Sequence, residues 1–124
     1  PLDYESIAAA GSMLGSGAVI VMDERTCMVW IIERLIHFYR HESCGKCTPC
    51  REGTAWLAKV LRRIEEGRGS EEDLDTLLGM SRQMTGTTIC VLSDSAAAPV
   101  VSSIQKFKDE YLALIRRGER AGVA

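Results

Sequence analysis

Glu42-Ser43-Cys44-Gly45-Lys46-Cys47-Thr48-Pro49-Cys50-Arg51-Glu52-Gly53 holds three of the chain's five cysteines, with two residues between each and the next. One further candidate, Cys90, stands alone far downstream. Three thiolates on one short loop can cap three corners of a compact metal cube and leave the fourth to a distant residue. That is the ligand arithmetic of a [4Fe–4S] cluster. Zinc competes for the same residues, but structural zinc sites usually bring their ligands in two separated pairs. Disulfides suit small secreted domains, and five cysteines cannot all pair. The spacing therefore favours Cys44, Cys47, Cys50 and Cys90 as cluster ligands. Cys27, which precedes an apolar helix, reads as a small buried hydrophobe.

Neighbouring residues agree with a cluster. Gly45 permits a tight turn, and Pro49 suits the first turn of a helix. A helix starting there sets the loop at its positive end, where thiolate charge is stabilised. Lys46 and Arg51 add cations, or are simply solvated loop charges.

The motif Glu42-Ser43-Cys44-Gly45-x-Cys47-x-Pro49-Cys50-Arg51-x-Gly53 resembles the iron–sulfur signature of the NADH-binding flavoprotein subunit of respiratory complex I. The diaphorase subunits of NAD-reducing hydrogenases and formate dehydrogenases share it. The resemblance extends from about residue 1 to about residue 117 and implies Cys90 as fourth ligand. It also implies a preceding domain that takes hydride from NADH into FMN, and partner subunits carrying further iron–sulfur clusters. Such a protein lies in the peripheral arm of a membrane-associated complex, in the cytoplasm or mitochondrial matrix. None of the FMN or NADH residues map onto this chain. The sequence departs from the family where Ser93 and Ser95 replace glycine and alanine.

The 124 residues carry 15 basic and 17 acidic side chains, enough chain for one modest core and no basis for nucleic-acid binding. No run approaches the roughly 20 apolar residues of a membrane span. The chain begins at Pro1, with no visible signal peptide, and reads as a piece of a longer polypeptide in a reducing compartment.

The fold class expected is mainly α: a small antiparallel four-helix bundle with a cysteine-rich loop, preceded by a remnant strand. Residues 1–25 read as the end of a domain, β-grasp under the resemblance, with a glycine-rich turn of close backbone packing feeding a strand over Ala18–Met22. The glycines precede that strand, so they do not form a dinucleotide fingerprint. Residues 26–118 form the helical cluster domain, and 119–124 a frayed tail.

Thr26 is the expected cap of a helix over 27–41, with Met28, Ile31, Ile32, Leu35, Ile36, Phe38 and Tyr39 inward. His37 and His41 read as surface or capping residues. A second helix spans 49–66, with Trp56, Leu57, Val60, Leu61 and Ile64 inward, and Gly67 stops it. Ser70 opens a third helix that reaches Met84 with Leu74, Leu77 and Leu78 inward. Asp94 or Ser95 caps a fourth, with Pro99 in its first turn, a Val100-Ile104-Phe107-Tyr111-Leu114-Ile115 stripe, and a stop at Gly118. The second and third helices rise about 27 Å and about 20 Å, so they run out and back and return Cys90 toward the loop.

No nucleophile–base pair and no nucleotide motif appears, so the sequence supports an electron carrier. The alternative class is a zinc-stabilised helical interaction module built on the same cysteines.

Overall fold

A computed structural model describes residues 1–120. Among the described residues five helices follow in order: α1 (Tyr4–Ala9), α2 (Met28–Glu42), α3 (Thr48–Glu65), α4 (Glu72–Met84) and α5 (Leu92–Arg120). The last four form the bundle. α2 and α4 lie on its diagonal without touching, while α3 and α5 meet across it. Contacts along the bundle fix its direction. Met28, at the start of α2, bonds Glu110 of α5, and Gly67, after α3, lies against Gly118 of α5. At the other end Met84, closing α4, covers Gly53 of α3 and accepts a hydrogen bond from Ser93 Oγ at 3.1 Å. The helices therefore run alternately up and down, as the short connections led us to expect.

Val29, Ile32 and Ile36 of α2, Leu57, Leu61 and Ile64 of α3, Leu74, Leu77 and Met84 of α4, and Val100, Ile104, Tyr111 and Ile115 of α5 make the core. The inward stripes of α3, α4 and α5 are largely those expected, but in α2 the core takes Val29, Ile32 and Ile36, while Met28, Ile31 and Leu35 are only part-buried at its edge. Phe38 and Trp56 are exposed, at the edges of stripes narrower than the sequence suggested. α2 starts at Met28 and its cap position is Cys27, not Thr26. Cys27 makes no capping bond, and the Met28 amide donates to Glu110 Oε2 at 2.8 Å instead. α5 begins at Leu92, so Pro99 lies inside the helix, and Asp94 caps the preceding turn by accepting from the Gly86 amide at 2.9 Å. A kink at Phe107 divides α5 and leaves that ring partly exposed. Ser103 spans the kink: its hydroxyl donates to Val100 O and accepts from Tyr111 Oη. Burial of Tyr111 raises its pKa to about 12. Gly118 does not stop α5, which runs through Arg120, and the rest of the expected tail, 121–124, lies outside the described residues.

The first 25 residues depart most from expectation. α1, capped by Asp3 accepting from the Ser6 amide at 2.7 Å, was not foreseen. Ala18–Met22 forms no strand; Val19, Ile20 and Val21 are exposed. A strand needs a ladder partner, and none is present among the described residues. The glycine turns exist, with positive φ at Gly11, Gly15 and Gly17, but a Cβ on any of them would meet nothing within 4 Å, so no close packing requires glycine there.

Among the described residues, Glu33 is the charge fully buried between α2 and α3. Arg62 Nε at 3.3 Å, Arg34 Nε at 3.5 Å and His37 Nε2 at 3.8 Å surround its carboxylate, yet neither oxygen accepts a hydrogen bond. Arg62, Arg34 and His37 are half-exposed and retain water, so the desolvation cost falls on Glu33 alone. Glu33→Met is expected to be neutral or to stabilise by up to about 2 kcal/mol in urea unfolding, rather than lose the ~3–5 kcal/mol of a broken buried pair.

Candidate metal centre

Cys44 and Cys47 lie in the turn between α2 and α3, and Cys50 in the first turn of α3. The turn is tight because Gly45 sits at φ +76°, a conformation that favours glycine. Arg51 holds it: Nη1 donates to Gly45 O at 2.6 Å, while Nε donates to Glu52. Its cation is therefore not merely a solvated loop charge. Gly45 N–H donates to Ser43 Oγ at 3.3 Å, and that hydroxyl lies 3.2 Å from Cys50 Sγ. Thr54 Oγ1 donates to Cys50 O at 2.8 Å, fixing the buried cysteine's backbone from the next turn. Cys47 is the cap residue of α3, so the thiols cluster at the positive end of an 18-residue helix.

Cys90 lies on the 85–91 connection between α4 and α5, at the bundle end that also holds the cysteine loop. Thr88 Oγ1 donates to Cys90 O at 2.8 Å, and flanking Ile89 and Val91 face outward. Cys50 is buried, Cys47 half-buried, and Cys44 and Cys90 exposed; all are free thiols. Among the described residues, no three His, Cys, Asp or Glu side chains converge tightly enough to hold a metal ion. The donor chemistry fits a cluster: four free thiols at one end of the bundle, three on a glycine-turned loop braced by Arg51. Cys27 lies at the opposite end, beside Tyr111, and is part-buried rather than fully buried. His37 and His41 are surface residues of α2.

Sequence reasoning placed Ser43 in the motif without a role and missed Thr54, although both are hydroxyls within seven residues of a cysteine. Their roles depend on a turn geometry that spacing alone does not display.

Residues 30–114 match the family described as the NADH-ubiquinone oxidoreductase-F iron-sulfur binding region. The chain belongs to this family. The corresponding NADH-quinone oxidoreductase subunit of Mycobacterium bovis is 58% identical over 118 residues, covering 95% of this chain and 26% of the relative. Its Streptomyces coelicolor counterpart is 53% identical over 111 residues, covering 90% and 25%. A crystal structure of NAD+-reducing [NiFe]-hydrogenase in the H2-reduced state matches with a TM-score of 0.73 and 36% identity, over 77% of this chain and 17% of that one. The chain thus spans about a quarter of the length of these curated relatives. Iron–sulfur binding, linked to NADH oxidoreduction, is the family property. Among the described residues no helix is long and apolar enough to cross a membrane.

Proposed function

We propose that this chain is the electron-transfer domain of an NADH:quinone oxidoreductase, with Cys44, Cys47, Cys50 and Cys90 as the four ligands of a [4Fe–4S] cluster. The topology carries this reading: alternating helices bring the 44–50 loop and the Cys90 connection to the same end of the bundle. When bound, such a cluster supplies one-electron transfer between FMN, reduced by NADH, and further iron–sulfur clusters, with no open coordination site for substrate.

The chain's own residues do the holding and shielding. Buried Cys50, half-buried Cys47 and exposed Cys44 and Cys90 would supply the four thiolates that hold such a cluster. The α3 N-terminus and Arg51 bias the site toward added negative charge. FMN and NADH belong to a preceding domain, whose end is residues 1–25 under this reading; residues 26–118 are the cluster domain. Its partners are other subunits of a multi-subunit complex, above all a neighbouring iron–sulfur subunit, in a peripheral arm facing the cytoplasm or mitochondrial matrix. The likeness to an NAD+-reducing hydrogenase favours, as a second reading, the same relay in a diaphorase subunit.

Reconstitution with iron and sulfide is the test. The proposal expects a brown protein holding about four irons and four sulfides. It expects a broad visible band bleached by dithionite and an EPR signal in the reduced form. A colourless protein carrying one zinc would overturn it in favour of a structural module.

A further inference from the structure

We propose that Ser43 raises the reduction potential of the centre by donating its hydroxyl hydrogen to Cys50 Sγ. This rests on the reading above that Cys50 is a ligand. Three contacts within nine residues orient the hydroxyl. Arg51 Nη1 binds Gly45 O at 2.6 Å, which fixes the peptides of the turn. Gly45 N–H donates to Ser43 Oγ at 3.3 Å and so occupies an acceptor position on that oxygen. Cys50 Sγ then lies 3.2 Å from the same oxygen. In the free thiol either atom can donate. A metal-bound thiolate has no proton, so the hydrogen must come from Ser43.

The consequence for electron transfer has a definite sign. Adding one electron to an iron–sulfur cluster increases the negative charge shared by its thiolate sulfurs. A hydrogen bond to sulfur therefore strengthens on reduction and stabilises the reduced form. Cys50 is the most buried of the four thiols, so water is least able to replace the lost donor. Ser43 itself is half-buried and extended, with φ −62° and ψ 123°, a backbone that threonine also adopts.

The experiment is an EPR-monitored dithionite titration of the intact, cluster-loaded protein, comparing wild type, Ser43→Ala and Ser43→Thr. At a fixed solution potential, Ser43→Ala is expected to lower the reduced-to-oxidised ratio about tenfold, which corresponds to about 59 mV for one electron. Ser43→Thr is expected to restore most of it. An alanine variant that holds its cluster at the wild-type potential overturns the proposal. So does loss of the cluster from the alanine variant, which would make the position one of assembly rather than tuning. Wild-type protein that takes up no iron and sulfide would instead sink the ligand assignment itself, and the two failures are told apart on the wild type alone.

Discussion

Cys90→Ser and Cys50→Ser are each expected to cost more than about tenfold in retained iron and acid-labile sulfide, since even outer-shell losses at metal sites cost ~10–100-fold. Cys27→Ser is expected to retain wild-type amounts. The contrast follows from the direction of the chain. α3 climbs away from the cysteine loop for 18 residues, α4 returns over 13, and the connection that follows carries Cys90 back to the starting end. Cys27 begins α2 at the far end, packed near Tyr111 and Glu110. Serine is smaller and a poor ligand for iron, so each substitution tests ligation with little disturbance of packing. Cys90 is exposed and Cys27 half-buried, so a stability effect alone would hurt Cys27→Ser more. Iron retained by Cys90→Ser and lost by Cys27→Ser would reverse the ligand assignment.

What sequence could reveal here divides along physical lines. Local periodicity and the three-cysteine spacing are properties of neighbouring residues, and they delivered the bundle and the loop. Interactions between distant segments left no such trace. The α2 amide is capped by Glu110, 82 residues away, and nothing near Thr26 signals it. Glu33 reads as an interruption of an apolar helix, whereas the structure buries it within reach of Arg62 on the next helix. Pro99 marked a first turn by propensity, but α5 starts seven residues earlier at Leu92. Trp56 has the right spacing for the core yet stands at the rim of a groove with Pro49, Met80 and Met84, because Gly53 lets Met84 close over α3 there instead. At the site, the thiols were legible and the roles of the supporting hydroxyls of Ser43 and Thr54 were not. A ligand declares itself by residue type; a residue that aims a ligand does so only through the turn it sits in.

Gly67→Ala is expected to destabilise the bundle more than Gly86→Ala, and the comparison explains why. Both glycines adopt positive φ, +75° and +70°, so alanine costs each about 1–2 kcal/mol in the left-handed region. Nothing lies within 4 Å of a Cβ built on Gly86, which sits in the open connection after α4. A Cβ on Gly67 would stand 3.1 Å from Gly118 Cα and 3.5 Å from Gly118 N. Those are backbone atoms of α5, which cannot rotate aside as a side chain can. Relieving the clash means shifting the end of α5 away from the α3–α4 turn, at a further ~1–3 kcal/mol of overpacking. Urea unfolding of the two variants measures the difference directly, and equal losses would show that the Gly67–Gly118 approach is not tight. The damage falls at the end of the bundle opposite the thiols, so Gly67→Ala is expected to lower stability while leaving iron retention in the folded protein at the wild-type level. A coupled loss of both would mean that the two ends of the bundle do not hold independently.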